Sequence, residues 1–243
     1  ESMKSGLWER ANFVGVELRN KTLGCIGLGK VGCEVLQRVQ GFGMQVIAYD
    51  PFVAPELGRS LGVELLSLDD LLSRADFITM HVPLTEKTRD FIGTREFSLM
   101  KPGVFIINAA RGGIINEDDL LKALNDGLVQ GAALDVFSEE PTRHTDLVNN
   151  SRVISTPHLG ASTEEAQREV AIEAAEQVLA VLEGGPARNT VNAPFLPPEV
   201  HAVLAPYIQV GMIVGKLLTN LAEGQFVGVT IRYEGEIAQH DTA

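Results

Sequence analysis

Three clusters of polar residues in this sequence could do chemistry together. Arg111 stands in the run Asn108-Ala109-Ala110-Arg111-Gly112-Gly113, Glu139 and Glu140 precede Pro141, and His158 follows Pro157. An arginine presents a planar fork that fits a carboxylate, and a histidine carries a proton near neutral pH. A carboxylate beside that histidine would orient the ring and favour its charged form. Such a set suits taking the proton from a hydroxyl of an anionic substrate while a hydride leaves the same carbon. Each member also has a plainer reading: a surface arginine in a glycine turn, a solvated acid pair, a loop histidine after proline.

A fourth cluster offers the hydride a destination. Gly27-Leu28-Gly29-Lys30-Val31-Gly32 is a GxGxxG that follows a predicted strand and opens a predicted helix, as a dinucleotide site requires. The first glycine allows the tight turn, the second lets backbone approach the pyrophosphate, and the third lets helix and strand pack closely. The helix start then turns free N–H groups and a positive dipole end toward the phosphates. Asp50 ends the next strand, where a carboxylate accepts hydrogen bonds from ribose hydroxyls, and neither Pro51 nor Phe52 supplies a cation for a 2′-phosphate. These residues point to NAD rather than NADP. The plainer reading of Asp50-Pro51 is a strand-ending turn.

The clusters need a scaffold that brings them to one edge. From Lys21 to Thr156 short β-rich runs alternate with helical stretches, the pattern of an α/β, doubly wound Rossmann-type parallel sheet. Strands are predicted at Thr22–Ile26, Gln45–Tyr49, Phe77–His81, Val104–Asn108, Ala132–Val136 and Val153–Ser155, with helices at Val31–Gln40, Leu68–Ser73 and Glu117–Asn125. Ligands of such sheets lie at the carboxyl ends of the strands, where the clusters fall. Beyond Thr156 a long helix is predicted, opened by a capping box of Ser162 and Glu165, with Ala166, Val170, Ala174, Val178 and Leu182 on one face and Gly184 and Gly185 at its end. A linker containing Pro186, Pro194, Pro197 and Pro198 leads to a second helix from about Pro206 to Ala222, and Phe226–Tyr233 alternates like a strand. The expected organisation is a dinucleotide-binding domain with an N-terminal arm over residues 1–160, a helix and linker over 161–195, and an incomplete further domain over 196–243. The chain reads as a fragment.

Composition narrows the partners. An apolar content of 45% over 243 residues can fill a core, and a net charge of −12 argues against nucleic acid or an anionic membrane surface. Ile208–Leu221 is the longest apolar stretch, too short to span a bilayer. Cys25 and Cys33 flank the glycine turn with no disulfide logic, which favours a reducing compartment, the cytoplasm first and an organelle stroma as the alternative. His81, His144, His201 and His240 have no metal-ligand spacing, and no metal is expected.

The phrases GLGKVG, HVPLTEKT, NAARGG, GAALDVFSEEP and PHLGAST stand in the order and spacing of the D-isomer-specific 2-hydroxyacid dehydrogenases, and from Trp8 to about Asn192 the chain resembles that family. With the VNAPF junction, it is most similar to the long members that add an intervening and a regulatory domain. The resemblance implies a small 2-hydroxy acid as substrate, a homodimer or homotetramer, and roles residue by residue. Arg111 would bind the substrate carboxylate, His158 would be the general acid/base, and Glu140 rather than Glu139 would hold its imidazole. Around the cofactor it implicates Gly27, Gly29, Lys30, Val31 and Gly32, Asp50 on the ribose, Val82 and Pro83 on the adenine side, and Asp135 near the carboxamide. Ala109, Ala110, Arg111, His158, Gly160 and Ala161 complete the set. Many relatives have threonine at the position of Val82, so only backbone or packing contact carries over there. The resemblance also places Arg10 within reach of a substrate phosphate across a dimer interface, with Trp8 packing on the neighbour; the alternative is an ordinary surface role. Two other activities fit: a reductase of another 2-keto acid, and an NADH-sensing module without turnover.

Overall fold

The computed structural model describes residues 2–183, 185, 189–190, 198–221, 230, 232 and 234–235. The apolar runs form a sheet of seven strands: β1 (Thr22–Ile26), β2 (Gln45–Tyr49), β3 (Glu64–Leu65), β4 (Phe77–Met80), β5 (Val104–Asn108), β6 (Val129–Leu134) and β7 (Val153–Ser155). All neighbours are parallel, in the order β3-β2-β1-β4-β5-β6-β7. The doubly wound sheet is as predicted, with two corrections: the strand expected over Ala132–Val136 runs from Val129 to Leu134, leaving Asp135 and Val136 beyond its end, and a seventh strand is present. Six strands are legible in the sequence; β3 is a two-residue edge strand, too short to leave an apolar run.

Helices α1 (Lys30–Val39), α2 (Pro55–Leu61), α3 (Leu68–Arg74), α4 (Thr94–Leu99), α5 (Glu117–Asn125) and α6 (Thr145–Val148) accompany the sheet. Side chains alternate between its faces, so Leu23 and Cys25 of β1 join Leu36 of α1 while Ile26 joins Leu71 of α3. Burial on both sides explains why the central strands read as continuous apolar runs. Ser67 and Asn116 open α3 and α5 by accepting from the N–H groups of Asp70 and Asp119, which satisfies donors the helix leaves free.

The chain divides into two compact units, Glu1–Ser162 and Thr163–Ala243. In the second, α7 (Glu164–Leu182) is capped by Thr163, whose hydroxyl accepts from Ala166 N at 3.1 Å. This replaces the Ser162–Glu165 box: the cap sits one residue later because Ser162 N is already committed to the Leu159 carbonyl in the preceding turn. The predicted apolar face of α7 is exposed at Val170, Val178 and Leu182. Its C-cap is Glu183; Gly184 lies outside the described residues, as do Pro186, Pro194 and Pro197 of the predicted linker. α8 (Pro198–Leu221) starts a full two turns before the expected Pro206, which it carries inside. Pro198 is tolerated at a helix start, so it is there, rather than at Pro206, that the helix begins. Most of the predicted strand Phe226–Tyr233 lies outside the described residues.

Candidate active site

The strand order reverses between β1 and β4, and the crevice at their carboxyl ends is where an open α/β sheet takes a ligand. Gly27 holds φ +98°, a left-handed conformation that favours glycine. A Cβ on Gly32 would lie 2.2 Å from the Gly27 carbonyl oxygen, so helix and strand meet with no room for a side chain. Gly29 differs from both: a Cβ there would have no protein atom within 4 Å. Nothing in the protein demands glycine at this position, whereas a pyrophosphate approaching the backbone would. Lys30 and Val31 open α1 and are exposed, with Val31 at 65%.

Asp50 is fastened to this turn. Its Oδ2 accepts from Leu28 N at 2.8 Å and its Oδ1 from Phe52 N at 2.9 Å. A cavity of about 740 Å³ is lined by Gly27, Gly29, Asp50, His81, Val82 and Pro83, among others, and falls within the size range of small-molecule and cofactor sites. Its wall is braced by Thr88, which no spacing in the sequence singles out: the hydroxyl donates to the Pro83 carbonyl at 2.6 Å and accepts from Thr85 N at 2.7 Å. These residues fit a dinucleotide. His81 directly follows β4 beside them, its ring against the Thr79 hydroxyl at 3.1 Å, and burial lowers its proton affinity. Cys25, flanking the same turn, is fully buried and its thiol is pushed up to about 12 by burial, while Cys33 remains a free thiol. Among the described residues no group of side chains could hold a metal ion.

At the other end of the sheet, His158 Nδ1 meets Glu140 Oε2 at 2.8 Å. The hydrogen bond from His158, joined by one from Phe137 N to Oε1 at 3.1 Å, holds the Glu140 carboxyl below the usual glutamate range. His158 has φ +56° and its N–H bonds the Asp135 carbonyl at 2.8 Å. A non-glycine residue held at positive φ is a strained conformation common at functional sites. Asp135 is buried, and burial alone would raise its proton affinity; its bonds to the Thr156 hydroxyl at 2.6 Å and to Leu159 N and Gly160 N at 2.7 Å outweigh this and lower it. The predicted carboxamide neighbour thus fastens the histidine loop as well. Ala161 lies at the end of that loop, two residues before the Thr163 cap of α7.

Arg111 is exposed and bonds the Ala110 carbonyl at 2.6 Å. Its loop hangs from Asn108, only 2% exposed, whose amide donates to the Arg111 carbonyl at 3.0 Å and accepts from Ala110 N at 3.1 Å. The signal for Asn108 was present in the sequence as a polar residue ending an apolar strand. Glu139 points elsewhere, toward Arg143 at 3.5 Å, which separates the two acids that composition leaves equivalent. Arg10 lies in a short 3-10 turn of the exposed N-terminal arm, and none of the described hydrogen bonds or ion pairs links it to Arg111, Glu140 or His158. Among the described residues no helix is long and apolar enough to cross a membrane.

Residues 1–160 match the sequence model of the D-isomer specific 2-hydroxyacid dehydrogenase family, NAD binding domain. A D-3-phosphoglycerate dehydrogenase of Methanocaldococcus jannaschii is 46% identical over 242 residues, covering 99% of this chain and 46% of that protein. A chloroplastic D-3-phosphoglycerate dehydrogenase 2 of Arabidopsis thaliana is 50% identical over 224 residues, covering 92% of this chain and 36% of that one. The chain thus spans less than half the length of these relatives. Among solved structures, a glyoxylate reductase from Paecilomyes thermophila aligns with a TM-score of 0.70 at 36% identity, over 75% of this chain and 55% of that one. The NAD-complexed form of a D-isomer specific 2-hydroxyacid dehydrogenase from Lactobacillus delbrueckii ssp. bulgaricus aligns with a TM-score of 0.69 at 31% identity, over 75% and 59%.

Proposed function

Because the chain belongs to the D-isomer specific 2-hydroxyacid dehydrogenases and carries their NAD-binding domain, we propose that it performs the dinucleotide-binding and proton-transfer part of a phosphoglycerate dehydrogenase. In this reading 3-phospho-D-glycerate and NAD give 3-phosphohydroxypyruvate, NADH and a proton, the opening step of L-serine biosynthesis. Bound NAD supplies the hydride acceptor. Arg111 grips the substrate carboxylate through its planar fork. His158 takes the hydroxyl proton on Nε2, because the Glu140 carboxylate faces Nδ1 and keeps the ring hydrogen there. Glu140 then steadies the imidazolium that results.

The observation that carries this reading is the 2.8 Å His158–Glu140 pair at the ligand edge of the sheet that also holds the glycine turn. A module that only senses NADH has no use for such a pair. A reductase of another 2-keto acid has one, and the likeness to a glyoxylate reductase favours that as the second reading. Comparing kcat/KM for 3-phosphoglycerate with a panel of 2-hydroxy and 2-keto acids, in the protein at its natural length, separates them. We expect 3-phosphoglycerate to lead the panel; a higher value for glyoxylate or hydroxypyruvate overturns the assignment.

The substrate phosphate needs a cation, and we assign Arg10 of a second copy to it, in a homodimer or homotetramer. The exposed Trp8, Phe13 and Val14 around it give that copy an apolar surface to cover. Arg10→Ala should raise KM for 3-phosphoglycerate and leave KM for unphosphorylated glycerate unchanged. A reducing compartment, cytoplasm or stroma, suits the free thiols.

A further inference from the structure

The Arg111 loop and the Glu140–His158 pair share one piece of backbone that belongs to neither. Phe137 follows β6, with its side chain 8% exposed in the core. On one side its N–H donates to Glu140 Oε1 at 3.1 Å. On the other its carbonyl lies flat against Gly112, so close that a Cβ on residue 112 would stand 1.7 Å from that oxygen and 2.7 Å from Ser138 N. Ser138 N is in turn held by Glu117 Oε1 of α5 at 2.5 Å, so the carbonyl has little freedom to turn away. The Arg111 loop itself is tied at its other end by both halves of the Asn108 amide.

Resting on the proposed function above, we propose that the Phe137 backbone is a strut between the substrate clamp and the acid/base pair, with Gly112 and Asn108 as positioning residues for proton transfer although neither touches His158 or Glu140. The missing side chain at Gly112 is what allows the strut to seat. A methyl group there must push the Phe137 carbonyl outward, and that movement reaches the N–H that braces Glu140. The strut thereby keeps the carboxylate facing the ring only while the arginine loop is in place. The charged groups acting on Glu140 are His158 on the loop after β7 and Asp135 at the end of β6. Glu117 of α5 acts only through Ser138.

The test is a 13C NMR titration of the Glu140 carboxyl in this chain, its signal identified by its loss in Glu140→Gln. In Gly112→Ala the midpoint should rise toward the ordinary glutamate range, by roughly half to one pH unit, because a bond to the charged form is weakened. NADH affinity should not change, and Gly41→Ala, which adds a methyl group in open space, should leave the titration where it was. Should Gly112→Ala fail to fold, Asn108→Leu carries the test: it removes both ties of the loop without adding charge, and a smaller rise in the same direction is expected. In the active enzyme, KM for the hydroxy acid should rise as well. A Glu140 midpoint unchanged in the folded variant overturns the coupling. The titration needs no turnover, so absence of 3-phosphoglycerate oxidation would count against the proposed function and leave this inference to the NMR result.

Discussion

The two ends of the sheet's ligand edge are built on different principles. Around β1 the cofactor end is shaped by what is missing: side chains at Gly27, Gly29 and Gly32, so that backbone and helix start form the surface. Around β5 to β7 the proton-transfer end consists of side chains, half-exposed and held in place by other side chains and by N–H groups. A backbone site is as rigid as the core beneath it. A side-chain site is only as good as its braces, and two of those here, Asp135 and Glu140, are carboxylates. In the proposed function the first end meets the dinucleotide with backbone, whereas the second must be kept aimed at a substrate.

The largest expected effect lies at the side-chain end. His158→Gln should lower turnover of the natural-length enzyme by roughly 10²-fold to 10⁴-fold, the usual contribution of a general acid/base. NADH affinity should hardly move, since the glycine turn is untouched. Steady-state rates and fluorescence titration of NADH on the same preparation decide it, and near-normal turnover would remove His158 from the mechanism.

Next is Gly29→Ala at the backbone end. Gly29 has φ −69° and ψ −174°, which alanine adopts freely, and open space where the methyl group would go. Thermal stability should therefore be unchanged, while NADH affinity falls on the order of 10²-fold because the methyl group occupies the pyrophosphate's place. Gly32→Ala should instead lose stability through its 2.2 Å approach to the Gly27 carbonyl. Equal NADH affinity in Gly29→Ala and the parent would mean that the dinucleotide does not lie on this turn. A smaller effect is expected at Asp50: Asp50→Ala should narrow the preference for NADH over NADPH by about tenfold, read from the two affinities, and a parent that binds NADPH more tightly would reverse the cofactor assignment.

The same division explains what the sequence makes legible. The backbone end is nearly complete there, because glycines that forbid side chains leave a fixed spacing, and Asp50 falls at the end of the next apolar run. At the side-chain end Arg111, Glu140 and His158 are legible through the family resemblance, but their braces are not. Thr156 reaches Asp135 from a strand far along the chain, the Phe137 N–H is a backbone donor that leaves no mark in residue type, and Asn108 shows only as a polar residue closing an apolar run. The edge strand β3 and the Thr163 cap are not legible for a related reason: two residues carry no period, and Ser162 and Thr163 are equally good caps until the turn before them uses one.

The smallest effect is the most direct probe of the difference, since it asks which end loosens first in acid. Asp135 and Glu140 both have their proton affinity lowered in the folded protein, Asp135 by the bonds from Thr156, Leu159 and Gly160 that outweigh its burial, and Glu140 by His158 and Phe137. A carboxylate depressed in this way contributes stability that is fully present above its unfolded value, about 3.9 for Asp and 4.3 for Glu, and is lost as pH falls through the lower folded value. Below pH of about 4, therefore, the amides of Leu159, Gly160 and Phe137 should lose protection from hydrogen exchange, after correction for the intrinsic rate, by an amount worth roughly 1 kcal/mol per bond. The Gly27 amide bonds the Tyr49 carbonyl and the His81 amide bonds the Ile26 carbonyl, with no carboxylate as acceptor, so their protection should persist over the same range. Exchange measured by NMR at a series of pH values down to the onset of global unfolding gives the order. Loss of protection at Gly27 and His81 before Leu159 and Gly160 would show that the glycine turn, and not the carboxylate-braced end, is the weaker half of the site.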